Sequence, residues 1–360
     1  MHTKKIIFTG GGSAGHVTPN LAIMAKLRPR GWDMEYIGSR DGIEKEIIDQ
    51  EGIPFHHISS GKLRRYFDVK NFKDPINVVK GVAEAYRLLR RLKPDLVFSK
   101  GGFVSVPVIL ASWLNRIPVI AHESDFTPGL ANKISTPFAS RVCVTFPETL
   151  RYLKSSKGEC TGLPIRDRIL EGKPLKGLTL CDFHSQKPVL LVMGGSLGAQ
   201  AINRIIREEL NALLERYQII HICGKGHVDA AFEGRRGYKQ FEYVSQELPD
   251  LLACADVVVS RAGSTSIFEF LALQKPMLLI PLSLQASRGD QILNANSFQQ
   301  QGYCRVVQEE DLNAAALLEG LEALYDGRDS YRRQMAASPY LNGTDRIVEL
   351  IEDLASSSRK

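Results

Sequence analysis

Lys5-Ile6-Ile7-Phe8-Thr9 runs directly into Gly10-Gly11-Gly12-Ser13-Ala14-Gly15-His16, and Pro188-Val189-Leu190-Leu191-Val192-Met193 into Gly194-Gly195-Ser196-Leu197-Gly198-Ala199. Each is a short apolar run, broken by glycines and followed by a helix-like stretch. The apolar runs read as buried parallel strands. Glycines let the backbone turn tightly, and the helix behind them offers unpaired N–H groups and a positive dipole end to an anion. The chain therefore carries two phosphate-cradling turns. Gly10, Gly12 and Gly15 also satisfy the dinucleotide spacing G-x-G-x-x-G, with Glu35 near the place of a ribose-binding acid. A single nicotinamide site, however, leaves the second turn unexplained.

Outward from these turns, strands are predicted at 4–9, 33–38, 54–58, 95–99, 117–121 and 141–145, and helices at 17–28, 43–50, 75–92, 103–115 and 128–136. After Thr161-Gly162-Leu163-Pro164 and a polar stretch ending at Lys187-Pro188 the alternation restarts. Strands then fall at 189–193, 218–222, 240–244, 256–259, 276–280 and 304–307, and helices at 199–216, 227–232, 247–254, 264–273 and 290–301. The expectation is an α/β chain of two tandem doubly wound, Rossmann-like domains, 1–163 and 164–340, facing a cleft. A helix-like tail at about 343–357 is a candidate to pack back on the first domain.

Composition bounds the function. Of 360 residues, 44% are hydrophobic and 24% charged, enough for a core in each half. The six cysteines, Cys143, Cys160, Cys181, Cys223, Cys254 and Cys304, are scattered, with no C-x-x-C and no histidine at metal spacing. They read as reduced thiols of a cytoplasmic protein rather than a disulfide framework or a zinc site. No apolar stretch reaches the length of a membrane span and no signal peptide is expected, so any membrane contact is peripheral.

Net charge is +6, yet residues 60–93 alone hold ten basic side chains (Lys62, Arg64, Arg65, Lys70, Lys73, Lys80, Arg87, Arg90, Arg91 and Lys93) against three acidic ones. Ile76, Val79, Val82, Ala83 and Tyr86 recur there at helical spacing. Two readings stand: a core-facing helix with a solvated basic face, or a surface that docks on anionic lipid. No nucleic-acid motif or run of stacking aromatics accompanies the charge.

Ligands of open parallel sheets bind beyond the carboxyl ends of the strands. In the first half those ends carry residues 13–16, Lys100-Gly101-Gly102-Phe103 and His122-Glu123-Ser124-Asp125; in the second they carry residues 194–196, Cys223-Gly224-Lys225-Gly226, Ser260-Arg261-Ala262-Gly263-Ser264 and Gly289-Asp290-Gln291. The layout suits a transferase with two phosphate-bearing substrates. Ser196 and the helix after it can bind a diphosphate. Glu269, five residues after Ser264, can accept hydrogen bonds from a ribose diol, and Asp290, Gln291 and Asn294 supply donors and acceptors for sugar hydroxyls.

Together these residues resemble the two-domain nucleotide-sugar glycosyltransferases of the GT-B fold, and more closely the MurG family of bacterial cell-wall enzymes. The likeness runs over F-T-G-G-G-S-A-G-H-V-T-P-N-L-A at 8–22, K-G-G-F-V-S-V-P at 100–107, H-E-S-D at 122–125, G-L-A-N-K at 129–133, T-G-L-P-I-R at 161–166, G-G-S-L-G-A at 194–199, S-R-A-G-S at 260–264 and D-Q-I-L-N-A at 290–295. It implies transfer of GlcNAc, with inversion, from UDP-GlcNAc to the C4 hydroxyl of undecaprenyl-diphospho-MurNAc-pentapeptide at the cytoplasmic face of the cell membrane. That step serves peptidoglycan synthesis, cell shape and cell division, and other cell-wall synthesis proteins become expected partners. By resemblance the donor touches Ser13, Ala14, Gly15, Asp125, Arg166, Ser196, Val244, Ser264, Thr265, Glu269, Asp290 and Gln291. The acceptor diphosphate falls on Gly12, Gly15, Gly101, Gly102 and Phe103.

The transfer needs a base for the acceptor hydroxyl and stabilisation of the departing UDP. His16 suits the base in pKa range, and Glu123 is its rival. No D-x-D motif stands where it would bridge a diphosphate; the helix dipole and Arg166 serve that purpose, and no metal or other cofactor is expected. The chain departs from the family pattern twice: H-E-Q-N reads His122-Glu123-Ser124-Asp125, and G-G-T-G-G-H reads Gly11-Gly12-Ser13-Ala14-Gly15-His16. The alternatives are a UDP-GlcNAc 2-epimerase of similar fold, which has no use for the glycine-rich acceptor turn or the basic segment, and a non-catalytic UDP-sugar-binding protein.

Overall fold

The first apolar run, flanked by Asp33–Ser39 and Leu96–Ser99, forms the middle of a parallel sheet. The computed structural model describes residues 3–12, 14–61, 74–153, 156–195, 198–287 and 289–357. It divides into two units, Met1–Arg166 with Asn342–Lys360, and Asp167–Leu341.

In the first unit, β1 (Lys5–Thr9), β2 (Asp33–Ser39), β3 (Phe55–Ile58), β4 (Leu96–Ser99), β5 (Val119–Glu123), β6 (Arg141–Val144) and β7 (Gly158–Cys160) align in the order β3-β2-β1-β4-β5-β6-β7, all parallel. The crossovers include α1 (Thr18–Leu27), α2 (Ile43–Gln50), α3 (Asp74–Leu92), α4 (Ser105–Leu114) and α5 (Leu130–Ser135). Alternate side chains of each strand enter opposite faces. Ile6 and Phe8 join Tyr36, Phe98 and Ile23 of α1 in one core, whereas Ile7 joins Ile37, Val97 and Leu89 of α3 in the other. The first of these cores is completed by Ile347, Val348, Leu350, Ile351 and Ala355 of the C-terminal helix Thr344–Ser357, which lies against α1. The chain builds outward from β1 to β3 and then returns to lay β4 on the free side of β1, with Thr9 opposite Ser99. Strand order thus reverses at β1 and β4, and a ligand crevice belongs beyond their carboxyl ends.

The second unit repeats the plan. After α6 (Asp167–Leu170) and α7 (Pro174–Cys181), its strands are β8 (Val189–Met193), β9 (Gln218–Ile222), β10 (Tyr238–Phe241), β11 (Val257–Ser260), β12 (Met277–Leu279) and β13 (Cys304–Val306). They align in the order β10-β9-β8-β11-β12-β13, all parallel, with the reversal at β8 and β11. The helices α8 (Gln200–Glu208), α9 (Leu210–Arg216), α10 (Leu248–Cys254), α11 (Ser264–Ala272), α12 (Asp290–Gln300), α13 (Ala314–Asp326) and α14 (Arg328–Ala336) flank it.

Local expectations are corrected in several places. The helix expected over 199–216 breaks at Glu209 into α8 and α9. The helix expected over 227–232 is one 3-10 turn, Ala230–Phe232, opened by Asp229 accepting from the Ala231 N–H at 3.0 Å. The strand expected over 240–244 lies at Tyr238–Phe241. Within the polar stretch before Lys187, α7 is held by α10, since Asp250 accepts from the Lys173 N–H at 2.9 Å and pairs with Lys176 at 2.6 Å. Among the described residues no helix is long and apolar enough to cross a membrane.

The basic segment is described only from residue 74 onward; Lys62, Arg64, Arg65, Lys70 and Lys73 lie outside the described residues. On α3 the core is reached by Ala85 and Leu89, both fully buried, while Ile76 and Val79 are 68% and 70% exposed. The apolar stripe read from the sequence therefore faces the core only in part. Lys80, Arg87, Arg90, Arg91 and Lys93 are exposed beside it. The neighbouring α4 and α5 expose Trp113, Leu114, Leu130 and Ile134.

Candidate active site

At the β1–β4 reversal two glycine turns meet backbone to backbone. Lys100 donates its N–H to Thr9 O at 2.9 Å, so the second turn starts level with the first. Gly102, at φ +85°, would place a Cβ 2.4 Å from Gly11 O. Only glycine fits that approach and that backbone angle. The first turn is held from below by the buried Tyr36 hydroxyl, which donates to Gly10 O at 2.7 Å and accepts from Asn20 at 3.2 Å. It is held from the side by Glu44, a fully buried carboxylate of α2. Glu44 accepts from Gly12 N at 3.3 Å, and from the N–H (2.9 Å) and hydroxyl of Ser39. In the second turn, Ser105 Oγ donates to Gly101 O at 2.7 Å.

His16 closes the 3-10 turn Ala14–His16. Its Nδ1 stands 3.1 Å from Gly11 O. A carbonyl can only accept, so Nδ1 carries the hydrogen and Nε2 the lone pair of the neutral ring. Burial pushes the imidazole pKa below its ordinary value, and the charge of Lys100 pushes the same way against Asp125 and Glu44. The ring is thereby kept as a neutral proton acceptor near pH 7.

From β5, Glu123 turns its carboxylate onto its own loop. Oε1 accepts from Asp125 N at 3.0 Å, and Oε2 from Gly129 N at 2.9 Å and Asn132 Nδ2 at 2.8 Å. These charge-assisted bonds tie residues 123–129 to α5. Between the loops lies Lys100, 1% exposed, its Nζ 2.7 Å from His122 Nδ1 and hydrogen-bonded to Ser124 Oγ. His122 Nε2 faces Gly162 O at 3.1 Å.

In the second unit, Gly198 separates the glycine turn from α8; a Cβ there would stand 2.2 Å from Cys223 O. Asn203 of α8 donates to the same carbonyl at 2.8 Å. Ser196 lies outside the described residues, as does Ser13 in the first unit. After β11, Ser264 is the first residue of α11, with Thr265 behind it and Glu269, 7% exposed, one turn on. Asn294 of α12 donates to Ala262 O at 3.1 Å, which brings the start of α12, with Asp290 and Gln291, against the β11–α11 turn. Gln291 Oε1 accepts from Leu282 N at 3.0 Å. Arg261 spans the loop from below: Nη1 donates to Ile280 O (3.1 Å) and Pro281 O (3.3 Å), and Nη2 pairs with Glu309. Val244 is buried just past β10.

Thus Gly12, Gly15, His16, Gly101, Gly102, Glu123 and Asp125 stand at the ends of β1, β4 and β5, Phe103 on the turn into α4, and Arg166 at the last position of the first unit's main segment. Val244, Ser264, Thr265, Glu269, Asp290 and Gln291 belong to the second unit. Sequence reasoning did not assign roles to Lys100, Glu44 and Arg261. The K-G-G and S-R-A-G-S motifs carry the signal for two of them, whereas Glu44 looks like an ordinary helix-start carboxylate.

Residues 6–144 match the glycosyltransferase family 28 N-terminal domain and residues 189–351 its C-terminal domain. A protein of Clostridium tetani named UDP-N-acetylglucosamine--N-acetylmuramyl-(pentapeptide) pyrophosphoryl-undecaprenol N-acetylglucosamine transferase is 55% identical over 97% of this chain and 98% of its own length. A protein of the same name from Clostridium botulinum is 57% identical over 97% of this chain and 99% of its own. The crystal structure of Acinetobacter baumannii MurG shares the fold, with a TM-score of 0.76 at 24% identity over 97% of this chain and 99% of that one. With two parallel sheets each carrying a glycine turn at its reversal, and near-full-length identity to these transferases, the chain belongs to glycosyltransferase family 28 and, within it, to the MurG family.

Proposed function

We propose that the chain transfers GlcNAc from UDP-GlcNAc to the C4 hydroxyl of undecaprenyl-diphospho-MurNAc-pentapeptide, with inversion. The observation that carries the reading is the pair of glycine turns at the two sheet reversals, one of them ending in a histidine whose Nε2 holds a lone pair. His16 takes the proton from the acceptor hydroxyl as its oxygen attacks C1 of GlcNAc. The C1–O bond breaks, and its electron pair leaves on the β-phosphate of UDP. Glu123 is the weaker base, because two N–H donors of its own loop and Asn132 of α5 occupy its oxygens.

The donor diphosphate binds at the positive N-terminal ends of α8 and α11, with Ser264 and Thr265 of α11, Ser196 and the cation Arg166 as its side-chain partners. Charge on the leaving UDP is stabilised there without a metal. Val244 receives uracil, Glu269 the ribose, and Asp290, Gln291, Asp125 and residues 13–15 the sugar. The acceptor diphosphate lies on Gly12, Gly15, Gly101, Gly102 and Phe103.

The protein works as a peripheral protein of the cytoplasmic membrane face. Ile76 and Val79, Trp113 and Leu114, and Leu130 and Ile134 are exposed on three neighbouring helices beside basic side chains, which suits docking on anionic lipid. The test follows label from radioactive UDP-GlcNAc with and without a short-chain lipid-linked MurNAc-pentapeptide. Acceptor-dependent labelling of the lipid is expected. UDP release or C2 epimerisation without acceptor would replace this reading with an epimerase, and binding without turnover with a non-catalytic UDP-sugar protein.

A further inference from the structure

The lysine after β4 is the one cation sealed beneath the first-unit turns among the described residues that surround them. Lys100 is 1% exposed, and a Cβ on Gly10 would touch both its Cβ, at 3.2 Å, and the carbonyl oxygen of His16, at 2.7 Å. The lysine stem therefore packs against Gly10, on the turn that leads to His16. The ammonium end reaches away to β5. His122 Nε2 faces a carbonyl, so it carries that ring's hydrogen, and Nδ1 can only accept. Lys100 must then be the donor to His122 Nδ1 and to Ser124 Oγ. One side chain thus links the turn after β1, the turn after β4 and residues 122–125 after β5.

Resting on the assignment of His16 as the base, we propose that Lys100 is a positioning residue of the transfer reaction, which fixes residues 122–125 against the glycine turns and holds His16 in its proton-accepting form. Lys100 is not placed to touch substrate; it acts through His16, Ser124 and the adjoining Asp125. The charged groups that face the cluster are known. Asp125 from the β5 turn and Glu44 from α2 favour protonation of His16, and Lys100 opposes it. Glu123, Asp125 and Cys143 of β6 favour the charged form of Lys100, and burial opposes it, bringing its pKa to about 7. His122 stays neutral through burial and the lysine charge. As pH falls from neutrality the lysine takes up its proton first, and the resulting charge resists protonation of the base. Activity then persists to a lower pH than an ordinary histidine allows.

The experiment measures kcat against pH, at saturating donor and acceptor, for the wild type, Lys100→Met and Lys100→Arg. The expected result is an acid limb displaced upward by about one pH unit in Lys100→Met, and left in place by Lys100→Arg, which keeps the charge. Lys100→Gln carries the same measurement if the methionine variant does not fold. An acid limb unmoved by both neutral variants overturns the proposal. In the wild type itself, an NMR titration of His16 is expected to show its main inflection below the ordinary histidine range and a smaller one near 7 as Lys100 titrates; a curve without the second inflection overturns it too. His16→Ala separates the two ideas. Full kcat in that variant sinks the base assignment, whereas a large loss beside an unmoved Lys100→Met limb sinks only the role of Lys100.

Discussion

Gly102 lies so close to Gly11 that the α-hydrogen of one faces the carbonyl oxygen of the other, with no room for a methyl group between them. Two glycine turns from strands that are distant in sequence are thereby set as one surface. Gly102→Ala combines that clash with a strained φ, a local cost of about 1–3 kcal/mol. Steady-state kinetics are expected to show acceptor KM raised at least about tenfold, with the dissociation constant for UDP-GlcNAc unchanged.

His16→Ala is expected to lower kcat by about 10²–10⁴-fold, the usual worth of a positioned general base, while donor affinity stays at the wild-type level. The pH dependence has a definite sign. The active form is the neutral ring, so kcat falls as pH drops through the His16 pKa. Because that pKa is lowered from 6.5, the wild-type acid limb should lie below pH 6.5. A kcat limb centred above 7 would remove His16 from this role.

On the donor side, Glu269→Ala should weaken UDP-GlcNAc binding by about 1.5–3 kcal/mol, the range for a hydrogen bond involving a charged group. Isothermal titration reads this directly, and unchanged affinity would dismiss the ribose contact.

Arg261 and Glu309 together hold residues 280–283, the approach to α12. Arg261→Met takes the guanidinium from two carbonyls and from one oxygen of Glu309, whose other oxygen keeps the Ser283 N–H. The unfolding midpoint of the second unit should drop by an amount equivalent to about 3 kcal/mol, with donor KM raised; Glu309, still 20% exposed, keeps the loss at the lower end for buried pairs. Urea unfolding followed by near-UV dichroism checks the first part and initial-rate kinetics the second.

Sedimentation with anionic vesicles tests the docking face. Reversing Arg87, Arg90 and Arg91 to glutamate should weaken binding by about 3 kcal/mol or more, and raising salt should do the same to the wild type. Ile76→Asp with Val79→Asp should abolish what remains at high salt. Retention of binding in both variants would place membrane contact elsewhere.

The strands β1, β4, β8 and β11 were the most legible in the sequence, because they are short apolar runs with glycine turns behind them, a local signal. The three-residue β7 was not legible, since Gly158-Glu159-Cys160 has no alternation and becomes a strand only by pairing with β6. Likewise α7 depends on Asp250, 77 residues from Lys173. The site split the same way. His16 and Gly102 follow strand ends and Glu269 lies in the helix behind one, so all three could be named as candidates in advance. Glu44 could not: an acidic residue in the first turn of an amphipathic helix is normally solvated, and only the fold carries it under Gly12. The stripe on α3 left two readings open, because helical spacing shows that one face is apolar without showing what covers it.

The C-terminal helix completes the core around β1 with five side chains made more than three hundred residues after that strand. During synthesis, the first unit must therefore leave the ribosome with an open hydrophobic flank, and it can close only when residues 344–357 have emerged. The intervening unit has every strand it needs by then. Birth order and order of completion are inverted, and a nascent chain stalled near residue 340 would present to chaperones an N-terminal half that is old but unfinished.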